Sequence, residues 1–297
     1  FITVPKLGRI LADAPTKSIA LCYMFGVLWG VGGLTFGLSM RYLGMSLGYA
    51  IALGFCAAFG PIIPPIYDGT IGDLLASASG LTTLAGVAVC LAGIAVCGWA
   101  GVAKEKELSS EQKTATVKEF NFFKGLCVAI FAGVMSACMA FGIAAGKPIA
   151  NLAVENDVPT LWKNSPVFTI ILAGGFTTNF LWCVFLNFKN ASGRDYIDKT
   201  RPKFALNYMF CAIAGLTWYL QFMFYGMGTT RMGDYDFASW SIHMAFIIVF
   251  SNIWGLVFHE WKASSKRTLT IIVSGIAVVV LSIVMIGAGS YLKSTGR

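Results

Sequence analysis

A short stretch near residue 240 has the clearest combination of groups for chemistry. Asp236, Trp240 and His243 are spaced i, i+4 and i+7, so on an α-helix they share one face. A carboxylate and an imidazole can take up and release a proton, and an indole offers a flat apolar surface. A proton-coupled sugar carrier can use all three groups. In the alternative interpretation, Asp236 lies in the headgroup zone and caps the N-terminus of the helix.

The preceding apolar segment has a second face of the same kind. Trp218, Gln221 and Tyr225 are spaced i, i+3 and i+7. Aromatic rings and a planar amide are suited to the C–H face and the hydroxyls of a sugar. A buried amide without a partner is costly, which favours binding at Gln221. A Trp and Tyr stripe can instead serve packing or an interfacial belt.

Two further polar residues complete the candidate site. Lys147 either extends to the membrane interface or serves as the counter-ion of Asp236. Asn179 either bonds a neighbouring helix or contacts a ligand. We therefore expect two groups of residues, for substrate binding and for proton coupling. They are, respectively, Gln221, Trp218, Tyr225, Trp240 and Asn179, and Asp236, His243 and Lys147.

The elements that carry these residues are apolar spans. Hydrophobic residues make up 57% of the chain, charged residues 12%, and the mean hydropathy is +0.72. Soluble domains carry roughly 25% charged residues. A helix of about 20 apolar residues crosses the roughly 30 Å of a bilayer. The chain is therefore predicted to be an all-α polytopic membrane protein. The eight predicted spans are 18–40, 45–66, 80–102, 126–146, 166–188, 205–228, 238–258 and 269–292.

Basic residues between the spans predict the orientation. With alternating spans, 14 of the 22 lysines and arginines lie on one side of the membrane and 8 on the other. The positive-inside rule places the richer side in the cytoplasm, so both chain ends are expected outside. The net charge of +8 therefore serves topology and does not indicate nucleic-acid binding.

An internal repeat organises the spans. The string W-G-V-G-G-L-T-F-G-L-S-M-R-Y-L-G at 29–44 is similar to W-Y-L-Q-F-M-F-Y-G-M-G-T-T-R-M-G at 218–233. Spans one to three then match spans six to eight. Trp29 becomes the counterpart of Trp218, and packing is the favoured role of Trp29. A unit with an odd number of helices repeats with inverted topology, a transporter signature. The predicted units are 1–120, with three helices and the cytoplasmic loop 103–120, and 121–297, with five.

Small residues and prolines add two local expectations. Four Gly-x-x-x-Gly pairs predict close helix contacts. The pairs are Gly26/Gly30, Gly33/Gly37, Gly44/Gly48 and Gly142/Gly146. Pro61, Pro64 and Pro65 are expected to end the second span.

Four strings resemble a known family. They are M-R-Y-L-G-M-S-L-G at 40–48, A-G-K-P at 145–148, W-Y-L-Q-F at 218–222 and Y-D-F-A-S-W-S-I-H-M at 235–244. The chain is identified by them as similar to the L-rhamnose–proton symporter family of the drug/metabolite transporter superfamily. The resemblance implies two inverted five-helix repeats that take up L-rhamnose with a proton across a bacterial inner membrane. Since eight spans are found, the first two helices of that architecture are expected to be absent.

Two other functions remain open at this point. A drug or metabolite exporter of the same superfamily needs a more apolar cavity, which Gln221, Asn179 and His243 disfavour. An intramembrane enzyme using Asp236 and His243 as acid and base needs a nucleophile or metal beside them. The sequence has no HExxH, Walker or nucleophile-elbow motif, so an enzyme is not expected and no cofactor is predicted besides the coupling proton.

Overall fold

A computed structural model describes residues 4–43, 45–107, 119, 121–200, 202–258, 261–262 and 264–295. Within them the secondary structure is helical. The α-helices are α1 (Leu7–Asp13), α2 (Thr16–Leu43), α3 (Met45–Tyr67), α4 (Ile71–Ala76), α5 (Ala78–Glu107), α6 (Phe122–Ala145), α7 (Lys147–Glu155), α8 (Ser165–Asn190), α9 (Phe204–Thr229), α10 (Ser239–Val257) and α11 (Lys266–Ser294).

Eight helical segments are long and apolar enough to cross a membrane. The chain is therefore a multi-pass membrane protein, as predicted. Each predicted span falls on one long helix: 238–258 corresponds to Ser239–Val257, and 45–66 to Met45–Tyr67. Of the predicted loop 103–120, the part up to Glu107 is helical, whereas 108–118 and 120 lie outside the described residues.

The prolines do not end α3, contrary to expectation. The helix continues through Pro61, Pro64 and Pro65 to Tyr67. A proline lacks the N–H donor but keeps its carbonyl. The carbonyls of Pro64 and Pro65 accept hydrogen bonds from the N–H groups of Asp68 and Thr70, both at 2.9 Å. The residues that follow the helix therefore supply the N–H donors for its last turn.

The long helices form a bundle with one sparsely packed member. The most extensive contact in the described part of the chain joins α5 and α11, and α2 packs against both α6 and α8. Helix α3 lies between α5 and α6 and also contacts α10. Helix α9 has few neighbours, and only 11% of the residues in its apolar stretch are buried.

Glycine permits a close crossing of α2 and α8. A Cβ on Gly26 of α2 would lie 2.1 Å from the Ile171 carbonyl oxygen of α8, and one on Gly174 would lie 2.3 Å from the Tyr23 carbonyl oxygen. Of the predicted glycine pairs, Gly26/Gly30 and Gly142/Gly146 lie in such contacts. The prediction is wrong for Gly33/Gly37, which have nothing within 4 Å, because that face of α2 has no helix on it. Gly44 lies outside the described residues.

Polar contacts join the helix ends on both sides of the bundle. At one end, the Glu107 carboxylate accepts hydrogen bonds from the N–H of Ser265 at 2.7 Å and from the Thr268 hydroxyl at 2.7 Å. These donors hold the pKa of Glu107 below its usual value. At the other end, Lys6 Nζ lies 2.8 Å from Asp157 Oδ2 and lowers the pKa of Asp157. Both described chain ends lie at this second end.

We predict that Gly26→Ala destabilises the fold, because its methyl group would overlap the backbone of α8. Overpacking of this kind costs about 1–3 kcal/mol. The measurement is the thermal unfolding midpoint of the purified protein in detergent. Gly37→Ala on the same helix is the matched control, and its midpoint should stay equal or rise, since alanine favours a helix over glycine by about 1 kcal/mol. Equal midpoints for the two variants would contradict the crossing.

Candidate functional site

A cavity of about 590 Å³ opens at the end of the bundle that holds both described chain ends. We name it cavity A. The last turns of α3, α6 and α9 line it, together with the first turns of α7 and α10. Its volume lies within the range of about 300–1,000 Å³ that is usual for small-molecule sites.

Among the described residues, charged groups of both signs line cavity A in equal number. The carboxylates are those of Asp68, Asp73 and Asp236, and the ammonium groups are those of Lys147, Lys163 and Lys293. The described lining has no formal net charge. It therefore suits a neutral polar solute better than an organic cation or an anion.

An ion pair lies inside the cavity. Lys147 Nζ, at the start of α7, is 3.6 Å from Asp236 Oδ2. The Asp236 side chain is 35% exposed and that of Lys147 is 52% exposed. The structure thus brings together the two residues that the sequence offered as possible counter-ions, and both remain open to a solute.

Asp236 precedes α10 and does not lie on it, which corrects the predicted helical face. Residues Gly233–Ala238 form a 3₁₀ segment, and α10 begins at Ser239. Gly233 has φ of +56°, a left-handed conformation that glycine adopts without strain. The chain therefore turns sharply before the helix. Asp236 still reaches the cavity beside Trp240, because both residues belong to its lining.

Aromatic rings form one wall of cavity A. The rings of Tyr225 and Trp240 meet edge to face, with centroids 5.7 Å apart. The Tyr225 hydroxyl lies 2.9 Å from Ser239 Oγ, and Ser239 donates to the carbonyl of Asp236. Trp240 is 2% exposed, and its indole N–H donates to Cys56 Sγ at 3.4 Å. Hydrogen bonds and packing therefore fix both rings.

His243 lies behind this wall. Its ring centroid is 4.8 Å from that of Tyr225 and 5.5 Å from that of Trp240. It does not line cavity A. A proton at His243 would thus be separated from the solute by the two aromatic rings.

The other predicted binding residues lie away from the cavity. Trp218 is 48% exposed and stacks on Trp29 of α2, with ring centroids 5.8 Å apart. Gln221 is half-buried, and its amide has no hydrogen bond among the described residues. The Asn179 amide donates to the Gly175 carbonyl of its own helix at 2.9 Å.

Several residues of the site escaped the sequence reasoning. Ser239 links Tyr225 to the 3₁₀ segment, and Asn164 donates to the Thr229 hydroxyl at 2.8 Å beside the cavity. Both are polar residues at the ends of predicted spans, and this position could have indicated a role in the site. Gly60 gave none, although a Cβ there would lie 2.2 Å from Trp240 Cδ1. Among the described residues, no group of His, Cys, Asp and Glu can hold a metal ion.

Comparison with known proteins identifies the family. The model of the L-rhamnose-proton symport protein family matches residues 5–291. The chain belongs to this family. Its curated relatives include the L-rhamnose-proton symporters of Yersinia pestis (strain Pestoides F) and Yersinia pseudotuberculosis serotype O:1b (strain IP 31758). Each is 34% identical over 292 residues, which cover 97% of this chain and 83% of the relative. No solved structure shows a significant match.

We predict that Gly60→Ala weakens solute binding in cavity A, tested with L-rhamnose, the solute in the name of the family, because its methyl group would displace Trp240 from the cavity wall. The expected loss of affinity is about tenfold or more, equivalent to about 1.4 kcal/mol. Calorimetric titration of the purified protein measures it. Gly54→Ala on the same helix is the control, because its Cβ would meet Ile94 Cγ2 at an ordinary 3.8 Å. Unchanged affinity in Gly60→Ala would show that the position of Trp240 does not matter for binding.

Proposed function

We propose that the protein takes up L-rhamnose, or a related 6-deoxyhexose, together with a proton by alternating access. Membership of the family and the names of its relatives support the solute and the ion. The observation that carries the proposal is cavity A, whose described lining is charge-balanced and where an ion pair lies beside two fixed aromatic rings. No cofactor is required, since the proton gradient supplies the free energy.

In this proposal the ring of Tyr225 contacts the sugar, and Trp240, of which 2% is exposed, holds that ring in place. The exposed part of this aromatic wall meets the C–H face of a pyranose, and the sugar hydroxyls reach the polar groups opposite. Asn151 and Asn164 also line cavity A and can bond those hydroxyls. The positions of Trp218, Gln221 and Asn179 give no comparable support for their sugar roles.

Asp236 is the proposed proton carrier and Lys147 its partner. A carboxylate paired with an ammonium group is stable at membrane depth, where an unpaired charge is costly. Protonation of Asp236 ends the pairing and frees the ammonium group to donate to a sugar hydroxyl. His243 is the second candidate, behind the rings of Tyr225 and Trp240.

The proposed architecture is a pair of inverted repeats, 1–120 and 121–297. In such a pair, equivalent elements meet across a pseudo-two-fold axis. Helix α3 contacts α10, its counterpart, and α5 packs along α11, its counterpart. Trp29 and Trp218 begin the matching strings, and their rings stack. The counterparts of α6 and α8 would then lie on α9, the helix with few neighbours.

The proposed location is a bacterial inner membrane, with cavity A facing outward. The eight spans place both chain ends on the side of cavity A. The opposite side holds 14 of the 22 basic residues, which supports its assignment to the cytoplasm.

The function is tested by uptake of labelled L-rhamnose into proteoliposomes that contain the purified chain. We expect accumulation only when the outside is more acidic than the lumen. A difference of one pH unit, about 1.4 kcal/mol per proton, supports about tenfold accumulation at one proton per sugar. A protonophore is the control. Uptake that ignores the gradient would contradict symport, and gradient-driven expulsion of an apolar drug without sugar uptake would favour an exporter.

The role of Asp236 is tested by Asp236→Asn, because an amide cannot take up a proton. We expect loss of gradient-driven accumulation, while exchange of labelled for unlabelled L-rhamnose persists. Asp157→Asn is the matched control, since it also removes a carboxylate paired with a lysine but lies away from cavity A. Wild-type coupling in both Asp236→Asn and His243→Ala would contradict the proton assignment.

A further inference from the structure

A second cavity of about 330 Å³ lies between α3, α5 and α10, toward the end of the bundle opposite cavity A. We name it cavity B. Leu53 of α3, Ile94 of α5, and Ser251 and Asn252 of α10 belong to its lining. It shares no lining residue with cavity A.

The same two helices line both cavities. Gly60 of α3 faces cavity A and Leu53 faces cavity B, seven residues apart. Trp240 and Ile248 of α10 bear the same relation, eight residues apart. At 1.5 Å per residue, a layer of about 10–12 Å separates the two spaces. One interface between α3 and α10 therefore runs from one cavity to the other.

Five small residues contribute to this layer. Cys56 and Ala57 of α3, Cys90 of α5, and Ser241 and Ala245 of α10 are each at most 2% exposed. Small side chains let helices approach closely and separate without the movement of bulky groups. The layer closes the path in this conformation.

Weak polar contacts hold the layer. Ser241 Oγ donates to the Ala57 carbonyl at 3.1 Å, and the Cys90 thiol lies 3.9 Å from the Ser241 carbonyl. On the side of cavity A, the Trp240 indole donates to Cys56 Sγ at 3.4 Å. Thiols are weak hydrogen-bonding groups. Ser241 thus contacts both α3 and α5, and the preceding Trp240 contacts α3.

Cavity B has groups that suit a neutral hydroxylated solute. Ser251 and Asn252 both donate to the Ile248 carbonyl, at 3.0 and 2.8 Å, which leaves their oxygen atoms as acceptors. Tyr49 supplies an aromatic ring with a hydroxyl. Lys104 is the one charged residue of the described lining, and it lies over the Trp261 ring at 4.6 Å. The described lining holds no carboxylate that would favour a cation.

We propose that cavity B is a second, exit subsite for the same sugar, and that Trp240 together with the layer around Ser241 is the gate between the two cavities. The inference rests on the proposed function. It adds a defined route along α3 and α10 and a place on the cytoplasmic side where Ser251 and Asn252 bind the solute before release.

The test uses a cysteine in cavity B and a charged, membrane-impermeant methanethiosulfonate reagent. Ser251→Cys is made in the Cys97→Ser background, because Cys97 is the one cysteine of the described lining. The background alone is the matched control, and Asn252→Cys is a second reporter. Inside-out and right-side-out vesicles present the two faces separately.

We expect the reagent to modify Ser251→Cys in inside-out vesicles, to reduce L-rhamnose transport at least tenfold, and to react more slowly when L-rhamnose is in excess. Transport by the background should not change when the reagent is added, and right-side-out vesicles should be protected. Full modification of both reporters with transport intact would overturn the exit subsite. A wild-type chain that carries no L-rhamnose before any reagent is added would instead contradict the proposed function.

Discussion

The hydrocarbon interior of a membrane offers no water to the backbone, so each peptide group must find its partner within the helix. That constraint fixes where chemistry can occur. Charged side chains are tolerated where helices end, and cavity A lies at such ends: Lys147 begins α7, and Asp236 lies in the 3₁₀ segment before α10. The prolines of α3 obey the same constraint, because the last turn provides partners for the carbonyls of Pro64 and Pro65.

The close approach of α3 and α10 is a second consequence of the membrane environment. In lipid, helices gain little from burying apolar surface against each other, and packing of small residues decides which faces meet. A hydrogen bond between membrane helices contributes about 0.6 kcal/mol on average. The single hydroxyl bond from Ser241 to Ala57 therefore costs less to break than the roughly 1.4 kcal/mol that one proton delivers per pH unit. A layer with these contacts is compatible with opening during a transport cycle.

Hydrophobicity predicted the helices because each span needs a fixed length of apolar sequence, and the ends agree within a few residues. Helical spacing predicted that Tyr225 and Trp240 point the same way as other polar groups, and both line cavity A. It could not tell a cavity face from a lipid face, since both bear aromatic residues. For this reason Trp218 and Gln221 share a face with Tyr225 in projection, yet lie outside the cavity. Close contacts such as Gly60 with Trp240 depend on which helices meet, and one sequence does not contain that information.

In the proposed cycle, protonation and the opening of the gate break different contacts. The Lys147–Asp236 pair lies within 121–297, whereas Trp240 bonds to Cys56 of 1–120. Ser239 connects the two, because its hydroxyl bonds to the Asp236 carbonyl and lies beside Tyr225. A protonated Asp236 leaves the Lys147 ammonium without its partner. If cavity A then closes, that ammonium group is cut off from water, and a charge removed from water without a partner is costly. Sugar hydroxyls can accept from that ammonium group. Closure with a proton alone is therefore penalised and closure with proton and sugar together is not. This difference makes the movement of the proton depend on the sugar.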